Sequence, residues 1–275
     1  MTLISRRHAL LLGSALPATL SRAGRAAASQ TDDPWPGLVT DVFADRPMQQ
    51  TETVVSMDVP YRSLDAALTP LTLTLAAPLN DPIDRVTLVI DRNPAPVAAV
   101  FRLGAEAGVS RIETRVRVNE NTAIHAVAET AGGRLFVTER FVKAAGGCSA
   151  PAIKSQDEAM ASLGRMKLRQ FEAPVAESAP REVQLLIRHP NNSGFQVDQV
   201  THYYIPARFV SDIKLYQGDD LIVAVEGGIS LSEDPSLRLT FRHNGAKTFR
   251  AEIVDTEQAA FAESWDAVPP GSPGT

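Results

Sequence analysis

The 275-residue sequence predicts an all-β protein built as two antiparallel β-sandwiches in series. Short β-branched runs recur about every 8–15 residues, the spacing of a sandwich and not of a helical bundle. Clusters of Gly, Pro and Asn punctuate them. Helical patterning is confined to two short stretches, one before the first set of strands and one between the halves.

Residues 36–43 put Leu38, Val39, Val42 and Phe43 on one face, which predicts a short helix packed on the first sandwich. Strands are then expected over 53–55, 71–75, 86–90, 97–103, 112–118, 123–128 and 135–142. Asn80-Asp81-Pro82, Asn93-Pro94-Ala95-Pro96, Asn119-Glu120-Asn121 and Gly132-Gly133 separate several of them. Ser155 followed by Glu158 forms a capping box, so a helix of about two turns should run over 156–163 and stop near Gly164. Met160, Leu163 and Met166 would pack that helix on a sandwich.

The second half carries strand patterns over 166–169, 183–188, 209–216, 221–225, 237–242 and 248–254. Residues 237–241 alternate apolar and polar, as a half-buried strand should. His243 to Lys247 make a hairpin turn. The domain plan is a leader over 1–28, a first sandwich over 35–145, an arm and linker helix over 146–164, a second sandwich over 165–262, and a disordered tail over 263–275.

Residues 1–28 hold four arginines, no acid, an apolar run over 9–20 and the small run Ala26-Ala27-Ala28. That pattern is a secretory signal. Arg6-Arg7 add the pair of a twin-arginine signal, with Ala9 where phenylalanine is usual, so the expected address is the bacterial periplasm. The apolar run falls short of the roughly 20 residues a membrane span needs, and no later run is long enough. Removing the leader's four arginines from 27 basic residues leaves 23 against 32 acidic ones, a net charge of −9. Such an acidic surface argues against nucleic acid and anionic membranes as partners.

Cys148 is the chain's one cysteine and sits in Ala144-Ala145-Gly146-Gly147-Cys148-Ser149-Ala150-Pro151. A single cysteine in an oxidising compartment points to intermolecular pairing or a reactive thiol. Two glycines before it and a proline after it disfavour a packed position, so an exposed thiol is expected. Residues 143–148, fully extended, would carry the sulfur roughly 20 Å from the first sandwich.

No phosphate-binding loop, zinc-ligand spacing, His-Glu-x-x-His or nucleophile elbow occurs in the sequence. No catalytic, cofactor-binding or metal-binding residue is therefore assigned. His125 lies in an alternating strand and reads as a satisfied strand histidine, and His243 as a solvated hairpin residue. His189 and His202 flank a polar stretch, with nothing to aim them at Cys148. Lys143 and Lys154 flank the arm and read as solubilising charges.

Residues 90–101 (Ile-Asp-Arg-Asn-Pro-Ala-Pro-Val-Ala-Ala-Val-Phe), 124–129 and Gly146-Gly147-Cys148 resemble SoxY, the sulfur-carrier subunit of the bacterial sulfur-oxidation system. Ile187-Arg188-His189-Pro190-Asn191-Asn192-Ser193-Gly194, Ile205-Pro206-Ala207-Arg208-Phe209-Val210 and Asp234-Pro235-Ser236-Leu237 resemble its partner SoxZ. The order is similar to the SoxYZ-like carriers associated with quinoprotein alcohol dehydrogenases. The resemblance implies two immunoglobulin-like β-sandwiches joined by a short arm and a two-turn helix. It also implies a covalent sulfur adduct on Cys148, with Gly146 and Gly147 as the flexible joint of a swinging arm and no resident cofactor. In the family the motif closes the chain, whereas here Ser149, Ala150, Pro151 and a whole domain follow.

Three functions are consistent with this reading. The first is a non-enzymatic periplasmic carrier serving Sox-type enzymes through Cys148. The second is a non-covalent adaptor of a quinoprotein dehydrogenase, and the third a thiol redox sensor that dimerises through Cys148.

Overall fold

The computed structural model describes residues 33–172, 179–269 and 271–274. The leader over 1–28 lies outside them. The first half contains α1 (Trp35–Phe43) and eight strands: β1 (Met48–Gln50), β2 (Val55–Asp58), β3 (Thr69–Leu75), β4 (Ile83–Ile90), β5 (Val97–Leu103), β6 (Arg111–Val116), β7 (Thr122–Thr130) and β8 (Leu135–Val142). After α2 (Gln156–Ala161) come β9 (Met166–Gln170), β10 (Pro180–Ile187), β11 (Val210–Gln217), β12 (Asp220–Gly227), β13 (Ser236–Arg242), β14 (Thr248–Asp255) and β15 (Ala260–Asp266). The all-β class holds, and both helices stand where the sequence places them.

The sandwiches of the two halves are joined edge to edge. One sheet runs β1-β8-β7-β4-β5-β12-β11-β14-β15 and the other β2-β3-β6-β13-β10-β9. Two antiparallel strand pairs cross between the halves, with Phe101 opposite Val225 on β5 and β12, and Ile112 opposite Leu239 on β6 and β13. Each crossing satisfies two edges that would otherwise expose unpaired backbone groups. One apolar core continues through both halves, from Leu73, Phe101 and Ile112 to Leu185, Phe241 and Phe249.

Strand chemistry explains the layers. β3, β10 and β14 alternate buried and more exposed residues, as sheets wet on one face do. β4 and β7 are buried on both faces near their centres. Leu88 and Ala126 point into the main core, while Val89 and Val127 point outward under α1. Trp35, Leu38 and Phe43 complete that second cluster, with Val42 left exposed, so the apolar helical face includes Trp35 and not Val42.

At α2, Ser155 Oγ accepts the Glu158 N–H and the Glu158 carboxylate accepts the Ser155 N–H. This is the capping box the spacing predicts. Met160 is exposed and touches Arg208 of the second half, while Met166 is buried in the shared core as expected. The tail expected from residue 263 is also corrected. β15 pairs with β14 through Asp266, and the Val268 N–H and carbonyl bond Gln170 and Arg181. Alternating Phe261 and Trp265 supply the half-buried side of this edge strand. No helix among the described residues is long and apolar enough to cross a membrane.

Candidate functional site: a docked cysteine arm

Hydrogen bonds from Lys143, Ala144, Gly146 and Gly147 hold the chain that leaves β8. Lys143 bonds Tyr61 and Ser63 through its backbone, and the Ala144 N–H reaches Asn121 Oδ1 at 3.1 Å. The Gly146 N–H donates to Asn119 at 2.6 Å and the Gly147 N–H to Val118 at 3.1 Å. A turn then closes, with the Ser149 N–H on the Gly146 carbonyl at 3.1 Å.

The two glycines serve different needs. Gly146 has φ +72°, the left-handed region that glycine enters without penalty, and no nearby atom crowds it. At Gly147 the constraint is contact. A Cβ there would lie 2.2 Å from the Ala66 carbonyl oxygen and 2.5 Å from that of Val118. Only a residue without a side chain fits between those backbones.

The second half closes over the arm. Ser193 Oγ donates to the Cys148 carbonyl, and Gln196 Nε2 donates to the Ala150 carbonyl at 3.1 Å. The Ile153 N–H reaches Glu233 Oε2 at 2.8 Å. Asn192 and Gln156 exchange side-chain hydrogen bonds, which tie the start of α2 to the same loop. Asn191, Asn192 and Ser193 are all buried here.

Cys148 itself is 1% exposed. The expectation of an exposed thiol on a loose arm is therefore corrected. Glycine at 147 does not loosen the chain in this state but lets it approach Ala66 and Val118 closely enough to be sealed under the second half. Burial pushes the thiol pKa up to about 11, while the nearby Arg117 guanidinium pulls it back. Among the described residues, none hydrogen-bonds to the sulfur.

Arg117 is the group the sequence reading missed. It is 1% exposed and lies just past β6, donating to the Gly147 carbonyl at 3.3 Å and the Asn191 carbonyl at 3.2 Å. In sequence it alternates with Val116 and Val118, which reads as the wet face of a strand. Lys143 and Lys154 are engaged elsewhere, one over the Tyr61 ring and the other on Asp234.

The histidines are structural neighbours of other groups. His125 is buried, with Nδ1 2.9 Å from Asp91 Oδ1 and its ring stacked 3.6 Å from Trp35, which satisfies it as expected. His189 faces Asp255 at 3.4 Å and accepts the Asn191 N–H at 3.0 Å. Burial lowers its pKa, opposed by Asp255. His202 is exposed, and His243 is half-buried, accepting the Gly245 N–H in its turn. Among the described residues no His, Cys, Asp and Glu cluster could hold a metal ion.

Fold and site together define a class: two β-sandwich domains fused through shared sheets, with one thiol sealed at the seam between them. The family model for "sulfur oxidation protein SoxY" matches residues 39–148, ending on Cys148, and that for "sulphur oxidation protein SoxZ" matches residues 168–266. The chain belongs to these families as a SoxYZ-like fusion, a SoxY domain followed by a SoxZ domain. A solved structure of the sulfur carrier protein SoxY from Chlorobium limicola f thiosulfatophilum is similar at 19% identity. The match covers 40% of this chain and 91% of that one, with a TM-score of 0.33. No curated protein matches the sequence.

Proposed function

We propose that this protein is a covalent sulfur carrier whose resting state keeps Cys148 docked, and which loads and unloads cargo when the arm is released. The observation that carries the reading is the position of the chain's one cysteine at the last residue of the SoxY match, in the seam against the SoxZ domain. The twin-arginine pattern at Arg6-Arg7 supports a periplasmic address. Family membership supports sulfur-oxidation enzymes as partners, which would perform the chemistry while the carrier supplies the attachment point.

Docking gives the carrier an off state. A free thiol has a pKa near 8.5 and is a few per cent thiolate at neutral pH. A thiol held at about 11 has roughly 300-fold less of the nucleophilic form. Release of the arm supplies both access and thiolate, so the reactive population is set by the docking equilibrium.

A second reading draws on the same burial. If the seam never opens, Cys148 is an inert packing residue and the protein is a non-covalent adaptor, for instance of a quinoprotein dehydrogenase. A redox sensor dimerising through Cys148 needs the seam open as well, and would show a reducible dimer. Complementation of a deletion strain separates carrier from adaptor. The carrier requires Cys148→Ala to lose all activity of the sulfur-dependent phenotype, and full rescue by that variant would leave only the adaptor.

A further inference from the structure

Arg117 is a buried cation with no carboxylate beside it. Among the described residues no acidic oxygen comes within 4.0 Å of its guanidinium, and its two hydrogen bonds go to the neutral carbonyls of Gly147 and Asn191. Its Nε is buried and has no hydrogen-bond partner. The contrast lies nearby, where buried Asp255 holds Arg208 at 2.8 Å. Removing a guanidinium from water without a counter-charge is strongly unfavourable. The carboxylates that act on Arg117 are Asp65 and Glu233, both at longer range and both already accepting backbone N–H groups, from Ala67 and Ile153. The remaining ionisable neighbour is the Cys148 thiol, which is neutral while it keeps its proton.

We propose that Arg117 is the counter-charge for an anionic group carried on Cys148, so that the docked seam holds a sulfonate- or persulfide-type adduct in preference to a neutral one. This rests on the reading of Cys148 as a carrier. Nε is the donor free to meet the added oxygen or sulfur, and the guanidinium stays charged at every physiological pH. Loading then changes the balance of the docked state. An unloaded arm leaves the cation uncompensated, whereas an anionic adduct would pair with it in the same seam. Arg117 thereby acts as a charge-reading residue for cargo, by holding charged intermediates docked and sheltered more firmly than neutral ones.

Synthetic adducts test this without the natural cargo, so its failure is distinguishable from failure of the carrier reading. The Cys148 thiolate attacks the sulfenyl sulfur of sulfonatoethyl methanethiosulfonate. One S–S bond forms, the S–S bond of the reagent breaks, methanesulfinate leaves, and the thiol proton goes to buffer. Propyl methanethiosulfonate gives a neutral adduct by the same exchange. Release of each adduct by dithiothreitol is timed, and each rate is divided by that of the same adduct on urea-unfolded chain. The wild type should release the anionic adduct about tenfold more slowly than the neutral one, a modest figure for a close charge pair. Arg117→Gln keeps donors for the two carbonyls and should bring the ratio to about one, and Arg117→Lys should restore part of it. A wild-type ratio of one would overturn the proposal even if no variant folds. So would a tenfold ratio that survives in Arg117→Gln.

Discussion

Adding one methyl group at residue 147 should open the seam. In Gly147→Ala the new Cβ would lie 2.2 Å from the Ala66 oxygen, 2.5 Å from the Val118 oxygen and 2.7 Å from the Val118 nitrogen. All three are backbone atoms, which cannot rotate aside as a flexible side chain would. Overpacking of this kind costs about 2–3 kcal/mol, and it falls on the docked state alone because a released arm has no such neighbours. At 1.36 kcal/mol per tenfold, the open population rises by about 30- to 160-fold. The assay is the rate of Cys148 alkylation by iodoacetamide at neutral pH, followed by intact mass, with circular dichroism confirming that the fold survives. Gly146→Ala is the matched control. There the penalty is backbone strain at φ +72° with no atomic clash, about 1–2 kcal/mol, so its rate should rise less. A Gly147→Ala protein that folds and alkylates at the wild-type rate would refute docking through this contact.

Three further outcomes follow from the same geometry. The docked thiol keeps its proton to about pH 11, so docking is at full strength below pH ~8.5 and weakens as pH rises from there. The wild-type alkylation rate should therefore keep climbing past pH 9, while Gly147→Ala levels off near pH 8.5; a shared plateau there would contradict the burial argument. Ser155→Ala removes the cap that accepts the Glu158 N–H and should weaken α2 by about 1 kcal/mol, seen as faster amide exchange over residues 156–161 with the sheets unchanged. Because the core and both sheets pass through the two halves, thermal unfolding should show one calorimetric transition, and two separated transitions would show that the halves are independent.

Much of the fold was legible because its signals are local. β5 and β8 match their sequence-predicted bounds, since alternation and flanking turns mark both ends. The capping box at Ser155 and Glu158 is a four-residue pattern that leaves little choice. What sequence could not supply was which edges meet. Pairing of β5 with β12 joins residues more than a hundred positions apart, and no periodicity encodes it. β1 is three residues of Met-Gln-Gln, too short and polar to carry a strand signal. β15 lies against a Pro- and Gly-rich end that hid its alternation.

The site divides along the same line. Cys148, Gly146 and Gly147 stood out by type and spacing, but glycine has two uses, mobility and close approach, and sequence does not distinguish them. Contact with Ala66 and Val118 decides in favour of close approach at Gly147 in the docked state. Arg117 was hidden because β6 ends at Val116, one residue before it, so the strand rule that would place it in solvent no longer applies.

Whether Cys148 carries sulfur can be read from the intact mass of the protein recovered from cells oxidising a reduced sulfur compound. Wild-type protein should be heavier by one or more sulfur-containing groups, with the increment removed by reductant and absent from Cys148→Ala. Wild-type protein found only at its unmodified mass under those conditions would contradict it.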